Sequence, residues 1–181
     1  MTVTHRLVTT RDTIGVGTSR RRTIVIALIG TILLALAFVR FEVLDLVTVS
    51  SASMSPTICA GDTLVLQRVH GSTAVRRDDI VVFASPTDGE STVKRVVAVA
   101  GQQVAIADGQ LLIDGTAVSE PYVDQASIDG VYFGTVTVPT GTVFVMGDHR
   151  EVSIDSRHYG PIPVQTISGR SLFSLWGSCD E

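Results

Sequence analysis

Lysine is nearly absent from this chain: Lys94 is the only one, and the other thirteen basic side chains are arginines. Basic charge is scarce throughout the later part. From Phe41 to Glu181, eight Lys and Arg face 17 Asp and Glu. That balance argues against a nucleic-acid partner, since such binding needs a basic surface. The four histidines, His5, His70, His149 and His158, are scattered. No metal-ligand spacing appears, and no metal or other cofactor is expected. Cysteine occurs twice, at Cys59 and Cys179. The two can pair on an oxidising face, but the sequence leaves pairing open. Internal repeats are missing, and no long segment beyond the first 40 residues keeps a helical apolar period.

What is present begins with a polar tail, residues 1–22, carrying five arginines against one aspartate. Then comes TIVIALIGTILLALAFV, Thr23 to Val39, without a charge. As a helix it spans about 26 Å, slightly short of a ~30 Å hydrocarbon core. Snorkelling by Arg22 and Arg40, or local thinning of the bilayer, makes up the difference. We read it as a single transmembrane helix that leads into an extracytoplasmic domain, residues 40–181. Arg20, Arg21 and Arg22 hold the N-terminus in the cytoplasm against a single Arg40 on the far side. A cleaved secretory signal competes with this reading, because Ala35-Leu36-Ala37 supplies a small-x-small cleavage pattern. A buried core helix is the third reading.

The domain reads as all-β, built of many short strands. Strands are expected at Phe41–Val49, Thr63–Val69, Asp79–Ala84 and Thr92–Ala100. Leu111–Ile113 and Thr116–Val118 flank Asp114-Gly115, a strong two-residue hairpin signal. Val131–Val138 and Thr142–Met146 bracket the turn Pro139-Thr140-Gly141. Tyr122–Gly130 is expected to be a loop. Phe41–Val49 is either a core strand or a segment lying along the membrane-facing side.

Three features carry chemistry. The stretch TVSSASMSPTICAGD holds four serines in a short span, which suits either a polar linker or a nucleophile. Alternation in a strand puts Lys94 on the face of Val96, Ala98 and Ala100, and Arg95 on that of Val93, Val97 and Val99. A lysine on an apolar face either snorkels or has its pKa depressed and acts as a base, a role closed to arginine. A neutral lysine can take a proton from a serine hydroxyl and return it to a leaving amine. The third feature is GDHREVSIDSRHYG, Gly147 to Gly160. It is either a solvated loop or the tied rim of a site, in which Asp148 or Asp155 pairs with Arg150 or Arg157.

Taken in order, these boxes resemble those of bacterial type I signal peptidases, membrane-anchored serine proteases that remove signal peptides from exported proteins. Ser53-Met54-Ser55-Pro56-Thr57 is similar to the nucleophile box and Lys94-Arg95-Val96 to the lysine box. Gly61-Asp62, Asp79-Ile80-Val81-Val82-Phe83, Asp114-Gly115 and Glu120-Pro121-Tyr122-Val123 also fit. Gly147-Asp148-x-Arg150-x-x-Ser153-x-Asp155-Ser156-Arg157-x-x-Gly160 matches the last box. Ile167-Ser168-Gly169-Arg170 and Phe173-x-x-Trp176 resemble the final strand. The resemblance implies Ser53 as nucleophile and Lys94 as general base. It implies an oxyanion hole from the Ser53 backbone N–H and the Ser51 hydroxyl. Ser153 would orient the lysine amine, and Asp155, Arg157 and Asp148 would support the site.

The resemblance further implies an antiparallel β catalytic domain and cleavage after an Ala-x-Ala-like site. The implied partners are membrane-bound secretory preproteins and the lipid bilayer, near the protein translocation machinery. Some positions depart from the family. Ala98, Ala100, Gly101 and Gln102 stand where Gly-x-Pro-Gly-Asp is frequent, His149 where asparagine is usual, and Glu151-Val152 where Asp-Asn is common. Three rivals are weighed at this point. A self-cleaving Ser-Lys repressor-type protease is normally soluble with a DNA-binding domain, features this sequence is not expected to have. The second is a sortase-like cysteine transpeptidase, which needs a reactive cysteine. The third is a non-catalytic membrane-tethered β interaction domain.

Overall fold

The structure is a computed structural model that describes residues 16–42, 44–69, 75–123, 132–175 and Cys179. The chain divides into two units, Met1–Phe41 and Glu42–Glu181.

The described residues of the first unit form one helix, α1 (Val16–Glu42), of 27 residues, whose last residue belongs to the second unit. It is longer than its apolar stretch because Arg20, Arg21 and Arg22 are good helix formers and continue the ladder outward. Arg20–Phe38 is long and apolar enough to cross a membrane, with a mean hydropathy of 1.9, and none of that window is buried. Ile24, Leu28, Leu34 and Phe38 are all exposed. A helix apolar on every side and uncovered by protein is not a core helix, so that reading falls. Among the described residues it is the only span of this kind.

The second unit is antiparallel β. Its strands are β1 (Leu44–Thr48), β2 (Thr63–Arg68), β3 (Ile80–Ala84), β4 (Ser91–Val99), β5 (Gln103–Ala107), β6 (Gln110–Ile113), β7 (Thr116–Ala117), β8 (Tyr132–Thr137) and β9 (Thr142–Met146). They are followed by the short helix α2 (Ser156–Tyr159), β10 (Ile162–Pro163) and β11 (Ile167–Leu175). Seven strands form one sheet in the order β1-β2-β11-β3-β4-β9-β10, and four form a second in the order β7-β6-β5-β8. Hairpins β5–β6 and β6–β7 turn at Asp108-Gly109 and Asp114-Gly115, where all four residues have positive φ. That is the type I′ geometry that matches strand twist, and it explains the Asp-Gly pairs.

The core lies on both faces of the large sheet. One cluster joins the sheets through Val97, Phe144 and Met146 against Val104, Ile106 and Leu111. A second gathers Met54, Ile58, Leu64, Val82 and Val93. A third gathers Val81, Phe83, Val96, Val143 and Val145. Each such side chain contributes roughly 1.5–3 kcal/mol on burial.

Several expected strands shift. Phe41–Val49 is not one strand: α1 runs through Glu42, and β1 pairs only with β2. β1 is thus an edge strand whose residues are half-buried or exposed, with Val47 packed against the cluster that holds the buried Val49. Strand β5 was not anticipated, because five residues with two alanines give a weak β pattern. Tyr122 and Val123 lie in a turn, while residues 124–131 and Trp176 fall outside the described residues. The alternation expected from Lys94 through Ala98 breaks. The register of β4 against β9 shifts between Val96 and Ala98, so these two residues enter different clusters.

Candidate active site

Ser53 lies on an excursion between β1 and β2. Its base is closed by Val49 N–H to Asp62 O (2.8 Å) and Gly61 N–H to Val49 O (2.8 Å). Met54 and Ile58, four residues apart, both face inward, and Ile58 N–H donates to Met54 O at 2.9 Å. Burying this pair fixes a single turn of chain, with Ser53 at its start and 7% exposed. The Ser53 carbonyl accepts from His149 N–H at 3.1 Å, so the last box holds the residue from behind. Ser51 Oγ stands 3.2 Å from Ser53 Oγ. Among the described residues the Ser53 N–H has no acceptor.

Lys94 reaches this hydroxyl from the middle of β4. Its ammonium nitrogen is 2.7 Å from Ser53 Oγ, and the residue is 3% exposed. Burial pulls the Lys94 pKa below its ordinary value. Asp155 and Asp148 pull it back in part, and Arg157 pushes it down further. In the neutral amine the short contact can run the other way, with the hydroxyl donating to the nitrogen lone pair.

Asp155, fully buried, organises the loop from Gly147 to Gly160. Its Oδ2 accepts from Gly147 N–H (3.0 Å), Ser153 Oγ (2.8 Å) and Arg157 Nη2 (3.0 Å), and its Oδ1 from Arg157 Nε (2.9 Å). It also caps α2 through Arg157 N–H, while His158 Nδ1 accepts from the Asp155 N–H, a reciprocal box. Arg157 Nη2 donates in turn to Arg150 O at 2.7 Å. Arg150, Ser153, Asp155 and Arg157 are therefore tied into a buried network, while Val152 and Ile154 of the same loop are exposed and the buried Tyr159 hydroxyl has no hydrogen-bond partner among the described residues. The Ser153 hydroxyl donates to Asp155 Oδ2, and among the described residues no hydrogen bond joins it to Lys94.

Asp148 also pairs unexpectedly. Its partner is neither Arg150 nor Arg157 but Arg95, bound through both oxygens at 2.8 and 2.6 Å. Burial works against the Arg95 charge, but Asp148 outweighs it and raises the pKa. The same guanidinium lies 3.9 Å over the Tyr122 ring and 3.5 Å from Thr57 Oγ1 on the serine excursion. Arg150 pairs with Glu120 at 2.5 Å, and Tyr122 donates to Glu120 at 3.1 Å. Arg150 thus meets Glu120 rather than Asp148 or Asp155, and Arg95, Glu120 and Tyr122 form a polar cluster beside the site to which the sequence assigns no role. Their only signals were adjacency to Lys94 and membership of the matched boxes.

Gly147 was also left without a role. A Cβ there would overlap the Ser53 carbonyl and the Ser153 hydroxyl. Only glycine lets the last box press against the nucleophile's backbone.

A cleft of about 250 Å³ opens on the pair, lined among others by Ser51, Ser53, Thr92, Lys94, Val152 and Ile154. Strand β4 is paired with β3 from Ser91 to Arg95 but with β9 only from Arg95 onward. One backbone edge of Ser91–Lys94 is therefore open. On the far side of the serine excursion, Cys59 is bonded to Cys179.

A model of the family described as signal peptidase, peptidase S26, matches residues 21–176. The chain is 36% identical over 140 residues to a probable thylakoidal processing peptidase 2 from chloroplasts of Arabidopsis thaliana, covering 71% of this chain and 37% of that protein. It is 34% identical over 153 residues to a signal peptidase I of Bacillus caldolyticus, covering 77% of this chain and 84% of that one. It is 36% identical over 157 residues to a signal peptidase I of Bacillus licheniformis, covering 81% and 84%. The chain thus spans little more than a third of the plant protein and most of either bacterial one.

Proposed function

The chain belongs to the signal peptidase family, peptidase S26, and from that premise we propose that it removes signal peptides from exported preproteins with a Ser53–Lys94 dyad. The observation that carries this reading is the 2.7 Å contact between the buried Lys94 amine and Ser53 Oγ. Neutral Lys94 takes the hydroxyl proton as Oγ attacks the scissile carbonyl. The Ser53 N–H and the Ser51 hydroxyl stabilise the oxyanion, each such donor contributing about 3–4 kcal/mol. Protonated Lys94 then gives its proton to the departing amine. Water, deprotonated by Lys94, releases the acyl group from Ser53. Asp155, Arg157, Ser153 and Asp148 act by holding the two reacting groups together.

The substrate is an extended segment cut after an Ala-x-Ala-like sequence. The open edge of Ser91–Lys94 supports backbone pairing with it, and the small cleft supports small side chains. Residues 1–22 form a cytoplasmic tail, 23–39 cross the membrane and 40–181 work outside, beside the machinery that delivers preproteins. The arginines before the span support this orientation, and so does the Cys59–Cys179 bond, which belongs to an oxidising compartment. An anchor holds enzyme and substrate in one plane and raises their effective concentration. The cysteine-transpeptidase rival loses its nucleophile, since both cysteines are consumed by the disulfide.

The test is cleavage of a membrane-inserted Ala-x-Ala precursor by the wild type, Ser53→Ala and Lys94→Ala. Each variant is expected to lose cleavage to a similar extent, because the pair acts as a unit. Intact activity in both variants overturns the dyad.

A further inference from the structure

We infer that the Cys59–Cys179 disulfide is a clamp that positions Ser53, making cleavage dependent on oxidation of this pair. The inference rests on Ser53 being the nucleophile proposed above. Cys59 lies in the same excursion as Ser53, six positions on in sequence. The inner side of that excursion is held by Met54 and Ile58 in the core and by His149 on the Ser53 carbonyl. Its outer side, Ser55 to Gly61, is exposed or half-buried apart from Ile58. There Cys179 provides the covalent hold. Besides the bond to Cys59, its sulfur lies 3.4 Å from Pro56 O and 3.9 Å from Ser55 Oγ, three and two residues from Ser53.

The disulfide spans 120 residues of sequence, yet it closes a small ring in space. Leu175, at the end of β11, pairs with Thr63, at the start of β2. Cys59 lies four residues before Thr63, and Cys179 four residues after Leu175. The sheet already joins the two strands, so breaking the sulfur bridge leaves their ladder in place and frees the arm that carries Ser53. Local openings of this kind need not involve the rest of the domain. The Ser53–Lys94 contact tolerates little displacement, because misplacement by about 1 Å costs on the order of 100-fold in rate.

The test uses the full chain in lipid vesicles, at a temperature where oxidised and reduced forms both give a folded circular dichroism spectrum. Dithiothreitol converts the disulfide to two thiols and itself to a cyclic disulfide. Full reduction, checked by thiol titration, is expected to lower kcat about tenfold with KM changed less than twofold, a partial form of the misplacement cost. Oxidised glutathione as thiol oxidant is expected to restore it. Cys59→Ser, Cys179→Ser and the double variant are expected to match the reduced wild type and to ignore dithiothreitol. Amide hydrogen exchange is read in parallel, expected to quicken over residues 52–61 and to stay unchanged in β2 and β11. Unchanged exchange over residues 52–61 overturns the clamp, as does exchange that rises equally in the strands. Equal kcat in the two redox forms also overturns it. If the oxidised wild type cleaves no precursor, the functional reading fails and exchange alone decides the clamp.

Discussion

Asp148 accepts from both the Nε and the Nη2 of Arg95, at 2.8 and 2.6 Å, and is itself 1% exposed. Removing one partner leaves a buried charge alone. Asp148→Ala is expected to lower the free energy of unfolding by about 3–5 kcal/mol. Arg95→Lys is expected to destabilise as well, because an ammonium cannot make the two parallel bonds or stack on Tyr122. Urea unfolding of the two variants checks both statements.

The buried amine of Lys94 sets a pH dependence of known sign. Burial lowers its folded-state pKa below 10.5, so the neutral, proton-accepting form gains population as pH rises through that lowered value. The kcat/KM profile is expected to rise with pH on a limb below 10.5. Between the folded value and 10.5 the unfolded chain holds a proton that the folded chain lacks, so stability also rises with pH across that window. Lys94→Met is expected to abolish cleavage and to flatten the stability slope. Rate profiles and urea titrations at several pH values measure the two effects.

At Gly147 a single methyl group has nowhere to go. Gly147→Ala is expected to displace the Ser53 carbonyl or the Ser153 hydroxyl, costing about 1–3 kcal/mol of stability. The displaced nucleophile is expected to lower kcat on the order of 100-fold while KM moves little. Steady-state kinetics on a precursor, beside thermal unfolding, separates the two losses.

The Ser51 hydroxyl, 3.2 Å from Ser53 Oγ, is available to an oxyanion. Ser51→Ala is expected to reduce kcat by about 100- to 1,000-fold without a matching change in KM, and Ser51→Thr to recover part of the loss. Kinetics of the two variants on one precursor decides the matter. A KM effect alone would assign Ser51 to substrate binding instead.

The positions of Ser53 and Lys94 were legible because both sit in short ordered boxes, and the burial of Lys94 was partly legible from its apolar strand. What escaped was whatever depends on distant partners. Asp148 and Arg95 are 53 residues apart, and no local pattern distinguishes that pair from Asp148 with Arg150. The role of Gly147 comes from two backbones meeting, which composition does not encode. The bulge in β4 is a register event, visible only once β9 is in place. The strand expected from Phe41 starts later, because hydrophobicity marks where lipid ends, whereas α1 continues to Glu42, where its backbone ladder ends. Expecting the lysine box on an apolar strand was correct, but regular alternation gave the wrong neighbours past Val96.

The seclusion of the Lys94 amine also makes it a singular chemical handle. No other side-chain amine exists in the chain, so reagents that acylate or reductively methylate amines have one target besides a free α-amino group, and that target lines the cleft beside Ser53. Its labelling rate reports the unprotonated fraction without a background of other lysines to subtract. A ligand seated in the cleft shields that one position. Attaching an isotope-labelled methyl pair would yield a single lysine resonance, from the centre of the proposed proton relay. Occupancy of the site could then be followed in intact vesicles without any substrate being turned over.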